Sequence, residues 1–172
     1  MRVLGIETST AVGSVCVVVD GAVVAERTHA TRETRSGGML TLVDAVLSEA
    51  GLSLAGLDMM ASGIGPGSFT GVRVSLSTVK GFHLATGVSL VGVGSLDAVA
   101  AANVGERRLG VVLDASRGEV FFAAYVHDAS GHRARVMEPA CAPAERAGAL
   151  LEAAFEGAAF VVVGDASAAG WA

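Results

Sequence analysis

Apolar residues fall first into runs with the two-residue rhythm of strands and later into runs with the three-and-four rhythm of helices. Val3 to Ile6 and Ser14 to Val19 are β-branched runs separated by Glu7-Thr8-Ser9-Thr10-Ala11-Val12-Gly13, which predicts a hairpin with a small-residue loop. Asp20-Gly21 is a tight-turn signal, and Ala22 to Arg27 supplies a third, antiparallel strand. Thr28 to Gly37 reads as a polar, mobile loop. From Gly38 to Ala50 the residues Met39, Val43, Val46 and Ala50 recur at steps of four, three and four, which is one helical face, with Gly51 as its C-terminal cap.

Leu57 to Ile64 predicts a fourth strand, followed by a helix from Phe69 to Ala85 in which Val72, Leu76, Val79 and His83 repeat the same spacing. Gly87 stops that helix and Ser89 to Val93 is a fifth strand, so the first part reads βββαβαβ. A short helix over 96–103, with Leu96, Val99 and Ala100 inward, leads to the polar break Gly105-Glu106-Arg107-Arg108, where the boundary between a lobe over 1–105 and a lobe over 106–172 is expected. The pattern then starts again. Strands Leu109 to Leu113, Val120 to Val126 and Arg133 to Glu138, a turn at Asp128-Ala129-Ser130-Gly131, a helix from Pro143 to Phe155 and a strand from Ala159 to Val163 repeat the opening order. A loose internal duplication with a shortened second copy is implied.

Between the fourth strand and the second long helix lies Gly63-Ile64-Gly65-Pro66-Gly67-Ser68-Phe69-Thr70-Gly71-Val72-Arg73. Its glycines permit positive φ or close backbone approach, and Ser68 is placed to cap the helix. A strand, a glycine turn and a helix N-terminus make an anion pocket by geometry. The sharper phosphate motifs fail: no lysine follows the turn before Lys80, and Ser68 stands where a dinucleotide fingerprint needs its third glycine. No Gly-x-Ser-x-Gly elbow exists, since Gly51-Leu52-Ser53-Leu54-Ala55 lacks the second glycine.

Composition narrows the function classes. Of the 172 residues 52% are hydrophobic and 17% charged, which excludes a disordered chain and points to a largely buried sheet or a surface that needs a partner. The apolar runs are too short for a membrane helix and Glu7 interrupts the first too soon for a signal peptide, so cytoplasmic residence is expected. A net charge of −5 argues against a free-standing nucleic-acid binder, and the patch Arg27, His29, Arg32, Arg35 reads as a solvated loop. Cys16 and Cys141 read as plain thiols. His127 and His132 flank a turn without a third ligand and read as exposed, and His83 reads as a packing residue, so neither a metal nor a cofactor is expected.

Ile6-Glu7-Thr8-Ser9-Thr10 with Gly13-Ser14-Val15, then Gly65-Pro66-Gly67-Ser68-Phe69-Thr70-Gly71-Val72-Arg73, Lys80-Gly81 and Asp114-Ala115-Ser116-Arg117-Gly118-Glu119-Val120 together resemble the TsaB (YeaZ) family, and the match runs in order from end to end. That resemblance implies an α/β, two-lobed fold of the actin, hexokinase and Hsp70 kind, related to ribonuclease H, with lobes of mixed sheet and helices. It implies a non-catalytic, dimerising partner of the TsaD-like subunit that, with an accessory ATPase, forms threonylcarbamoyladenosine at position 37 of ANN-decoding tRNAs. The chain would form a homodimer when alone and would meet tRNA only indirectly. The catalytic relative carries a His-x3-His metal pair where this chain has Ser95 and Val99, and neither can replace an imidazole as a metal ligand. The sequence departs from the family at Thr34-Arg35-Ser36-Gly37-Gly38-Met39, which lacks the usual histidine, and in a shorter second lobe.

On this resemblance Glu7, Thr8, Ser9, Gly65, Gly67, Ser68 and Asp114 are candidates for a vestigial anion pocket. The two long helices carry further apolar residues (Leu40, Leu42, Leu47; Val74, Phe82, Ala85) besides their main stripes, which suggests a second buried face. Met39, Val43, Val46, Ala50, Val72, Leu76, Val79 and His83 are therefore the expected partner interface, with about 800 Å² buried per partner. A small kinase or ATPase of the same fold is the alternative, with Glu7, Asp114 and Asp165 as carboxylates for Mg²⁺. A protease lacks any nucleophile and base arrangement.

Overall fold

Alternation along the first three strands sends Leu4, Ile6, Val15 and Val17 to one face, and the chain folds so that this face is covered. The computed structural model describes residues 1–30, 38–127 and 132–166. Strand β1 (Arg2–Glu7) pairs antiparallel with β2 (Val12–Val19), which pairs antiparallel with β3 (Ala22–Ala30). The β2–β3 connection is Asp20-Gly21, both at positive φ, the requirement of the two-residue turn that matches strand twist. Helix α1 (Gly38–Glu49) crosses to β4 (Met59–Gly63), and α2 (Phe69–Thr86) crosses to β5 (Ser89–Val93). Such crossovers permit parallel pairing, so β4 lies parallel to β1 and β5 parallel to β4, in the sheet order β3-β2-β1-β4-β5.

The second sheet repeats this plan. Strands β6 (Arg108–Ser116), β7 (Glu119–His127) and β8 (Arg133–Pro143) form an antiparallel meander, α4 (Ala144–Ala154) crosses back, and β9 (Val161–Val163) lies parallel to β6. The order β8-β7-β6-β9 is the order of the first four strands of the first sheet. Both faces of this sheet are buried. Val112, Val120, Phe122 and Ala124 face α4, while Leu109, Val111, Leu113 and Tyr125 face α3 (Ser95–Ala102), which explains why β6 and β7 read as continuous apolar runs.

The compact units are Met1–Val93 and Gly94–Ala172, a division one helix earlier than the polar break at 105–108. The reason is packing, since α3 buries Leu96 and Ala100 on β6 and β7. Two strand ends also differ from the sequence expectation. β3 continues through Thr28 to Ala30 because β2 offers ladder partners down to Val12, and β8 runs on to Pro143 beside β7, leaving Pro143 as the helix cap. The expected turn at 128–131, the loop residues 31–37 and the terminal Trp171-Ala172 lie outside the described residues. Among the described residues no helix is long and apolar enough to cross a membrane.

Candidate functional site

The glycine turn is built against the end of β1. Ser68 caps α2, its Oγ accepting from the Gly71 amide at 3.3 Å and its carbonyl from Val72 at 2.9 Å. The Ser68 amide donates to the Ser9 carbonyl at 2.6 Å, and Thr8 Oγ1 donates to the Gly71 carbonyl at 2.6 Å. Thr8 and Ser9 are buried. A side chain at Gly71 would overlap the Thr8 carbonyl oxygen, and one at Gly67 would overlap the Ser9 carbonyl oxygen. The glycines therefore serve close approach of the chain to itself. The Thr8 and Ser9 backbone packs directly on Gly71 and Gly67, and two amides near the helix N-terminus already have acceptors.

Glu7 closes the end of β1 with its Oε1 accepting from the Ser9 amide at 2.5 Å. In the second unit Asp114 does the same near the end of β6, its Oδ1 accepting from the Ser116 amide at 2.8 Å, and its own amide donates to Asp165 Oδ1 at 2.9 Å. The two units thus repeat one device, an acidic residue late in the central strand that ties down the backbone two residues on. Glu7, Thr8, Ser9, Gly65, Gly67 and Ser68 are brought together in the first unit, whereas Asp114 belongs to the second. Among the described residues no three His, Cys, Asp or Glu side chains come together to hold a metal ion.

Of the helix stripes expected at an interface, that of α1 points inward, whereas only Val79 of the α2 stripe does. Met39, Val43, Val46 and Val79 are buried in the core of the first unit, with Ala50 packed partly against them. Val72 and Leu76 are half-buried. His83 is exposed at the end of α2, its Nδ1 2.9 Å from the Val88 carbonyl oxygen. A stripe at that spacing is what a helix on a sheet must bury, and the sheet has taken that of α1, while α2 turns Gly71, Ser75 and Val79 to it. Apolar residues do remain on the outer side, where Leu40 is 57%, Phe69 75% and Leu84 85% exposed. Arg73 lies over the Phe69 ring at 5.1 Å.

A second polar cluster was not singled out by sequence spacing. Asp97 on α3 accepts from Arg135 Nη2 at 2.5 and 2.6 Å and from the Tyr125 hydroxyl at 2.8 Å. Burial, and then the bond to Asp97, push the Tyr125 hydroxyl well above its ordinary value. The hydrogen bonds to Asp97 and Glu138 raise Arg135 in turn. His127, expected as exposed, is half-buried, and its Nε2 accepts from Arg133 Nε at 2.9 Å. The one readable signal was the alternation Tyr125-x-His127 and Arg133-x-Arg135 on either side of a turn.

The family model for tRNA N6-adenosine threonylcarbamoyltransferase, TsaD, matches residues 23–168. The tRNA threonylcarbamoyladenosine biosynthesis protein TsaB of Escherichia coli is 36% identical over 134 residues, covering 76% of this chain and 58% of that protein. YeaZ from Pseudomonas aeruginosa superposes with a TM-score of 0.74 at 29% identity over 84% of this chain and 68% of its own. Component A of Acidaminococcus fermentans (R)-2-hydroxyglutaryl-CoA dehydratase shares the fold at a TM-score of 0.52 and 14% identity, over 86% of this chain and 49% of that one. The architecture is thus an α/β fold shared with YeaZ and with that component A, one sheet-and-helix unit followed by a second. The chain spans 58% of the length of its E. coli relative. With the family model matched over most of its length and TsaB and YeaZ among its relatives, the chain belongs to the TsaD-type threonylcarbamoyltransferase family, in its TsaB (YeaZ) branch.

Proposed function

We propose that this chain is a non-catalytic partner subunit in the cytoplasmic formation of threonylcarbamoyladenosine in tRNA, and that it acts by holding a TsaD-like catalytic subunit. The observation that carries the reading is the outer side of α1 and α2. Phe69 and Leu84 project from one face of α2 together with half-buried Leu76, and Leu40 adds an exposed apolar side chain on α1. Helices that already cover their sheet with Met39, Val43, Val46 and Val79 have no internal use for these. Ser95 and Val99, placed where the catalytic relative has its histidine pair, support a non-catalytic role, Ser95 being buried and Val99 packed on the third core cluster. An accessory ATPase completes the complex, and a homodimer through the same face is the state of the chain alone. A nucleotide-using enzyme is disfavoured by the glycine turn, where the Thr8 and Ser9 backbone packs on Gly71 and Gly67 and takes the Ser68 amide.

Co-purification with the catalytic relative tests the reading. Leu84→Glu, on an 85% exposed side chain, should keep the far-UV circular dichroism of the parent and weaken association at least about tenfold. Val46→Glu, at a side chain with no exposure, should unfold the first unit. Undiminished association of folded Leu84→Glu places the partner elsewhere, and tRNA modification that proceeds equally well without this chain ends the scaffold assignment.

A further inference from the structure

On the side of the second sheet that faces α3 lies a cleft of about 440 Å³, in which Asp97 of α3 and Val104 after it meet Tyr125 and His127 of β7 and Arg133 and Arg135 of β8. Tyr125 pairs with Arg135 and His127 with Arg133 across the β7–β8 ladder, so all four rise from one face. Asp97, Arg135 and Tyr125 satisfy one another and form the floor. Nearer the end of the sheet, His127, Arg133 and Asn103, the C-terminal cap of α3, make a second group.

The positions of the protons in this second group follow from which atoms can donate. A guanidinium has N–H donors and no acceptor. Arg133 directs Nε at His127 Nε2 over 2.9 Å and Nη2 at the same nitrogen over 2.6 Å, so Nε2 is the imidazole lone pair and the ring carries its proton on Nδ1. Nη2 also donates to the Asn103 carbonyl at 2.7 Å, at the end of α3 where carbonyls have no partner in their own helix. Arg133 therefore clasps the end of α3 to β7 and β8 through one nitrogen of one histidine. Among the described residues no carboxylate pairs with Arg133, and its Nη1 is shielded from water without an acceptor. The His127 lone pair and the Asn103 carbonyl are what answers a guanidinium that cannot shed its charge.

We propose that this group is a proton-operated latch: a proton taken from water onto His127 Nε2 displaces the Arg133 bond, Arg133 swings away and the end of α3 comes free of the sheet. Histidine is the side chain that ordinarily changes charge between about pH 5 and about pH 8. Protonated on both nitrogens it only donates, so the acceptor is lost and two cations stand where a bond was. The surroundings do not relieve them. Asp97 on α3 is held by Arg135 of β8 and by the Tyr125 hydroxyl of β7. Arg107, whose carbonyl accepts from the His127 amide at 2.8 Å, adds a cation just before β6, and His132 stands exposed next to Arg133 in the chain. Leu96 and Ala100 keep α3 on its core cluster, so what opens is its last turn and the connection through Val104, which is 78% exposed. The latch is closed while the ring is neutral and opens as the pH falls.

The test is nuclear magnetic resonance of the full chain between about pH 7.5 and about pH 5. At the upper pH the His127 ring should be the Nδ1–H tautomer, read from its long-range nitrogen–proton couplings, and the Arg133 Nε–H signal should be visible and slow to exchange. As the ring takes its second proton that signal should vanish. Amide exchange over 101–103 should then rise at least about tenfold beyond its intrinsic pH dependence, with β6 and β7 still protected. In His127→Gln, whose amide oxygen accepts a hydrogen bond at either pH, the response should disappear, and in His132→Gln it should remain. An Nε2–H tautomer at the upper pH, an Arg133 signal or an α3 end unchanged at the lower pH, or a loss of protection shared by β6 and β7 overturns the latch. So does a response that survives in folded His127→Gln or is lost in folded His132→Gln. Should either variant fail to fold, the tautomer and the pH response of the unaltered chain decide alone.

Discussion

The glycine turn of the first unit and the α3-facing cleft of the second both gather hydrogen-bond donors at a helix beside a sheet, and they spend them in opposite ways. At the turn, the Ser68 amide and the Gly71 amide find acceptors within the chain, and the backbone of residues 8 and 9 packs directly on Gly71 and Gly67. In the cleft, Arg133 keeps a shielded nitrogen without an acceptor. Glycine content reports how closely two backbones approach. It says nothing about what occupies the space, which only the partners of each donor decide.

The largest effect that would break this comparison is at Gly71. A helical glycine replaced by alanine ordinarily gains about 1 kcal/mol. At Gly71 the new methyl group would overlap the Thr8 carbonyl, a backbone atom that cannot step aside alone, so the overlap should reverse the sign and cost about 3 kcal/mol. Gly81→Ala in the same helix, where nothing lies within 4 Å of the added carbon, is the control and should stabilise by up to about 1 kcal/mol. Urea denaturation of both reads the difference. A neutral Gly71→Ala would mean that residues 7–9 can withdraw and leave the turn open to a ligand.

A smaller effect belongs to the cleft. Asp97→Asn removes the charge that Arg135 and Tyr125 share, but the ion pair is about a third exposed, with side-chain exposures of 31% and 38%, so the cost should be about 1 kcal/mol. The sharper readout is spectroscopic, because the chain has one tyrosine. Loss of Asp97 should bring the Tyr125 phenol down in an ultraviolet titration while leaving it above an ordinary phenol, since burial is the larger cause of its upward shift. An unmoved titration would disconnect Tyr125 from the floor of the cleft.

Element type and order were legible because each depends on near neighbours in sequence, as in the alternation of β1 and β2, the Asp20-Gly21 turn and the Ser68 cap. Sidedness was not. α1 and α2 carry apolar residues on more than one side, and a count at steps of three and four finds the stripe without saying that the sheet has already claimed it. The end of β3 was missed because an edge strand tolerates Thr28 and His29, its ladder being specified by β2. The cleft was invisible for a different reason. Asp97, Tyr125 and Arg135 are 28 and 38 residues apart along the chain from the aspartate, and only the sheet order and the crossing of α3 bring them within hydrogen-bond distance.

The smallest expected effect supplies the scale against which the cleft is judged. Arg2 and Asp58 form an ion pair at 2.7 Å, reinforced by the Arg2 amide at 2.6 Å, and both side chains stand in solvent at 44% and 40% exposure. Hydrogen bonds from the Arg2 side chain and then its backbone hold the Asp58 carboxyl down to about 2. A carboxyl depressed by folding stabilises the protein above the pKa it has when unfolded, and that contribution fades as pH falls through the folded value. Wild type should therefore exceed Asp58→Asn slightly in stability at neutral pH, and the gap should close as urea midpoints are followed from about pH 5 towards pH 2. A gap that stays constant to pH 2 would show that the aspartate acts through shape alone. The comparison with Asp97 then has content: two carboxylates each bonded to an arginine differ chiefly in that Asp97 also holds a buried phenol, so a larger loss in Asp97→Asn than in Asp58→Asn measures what burial adds to the cleft.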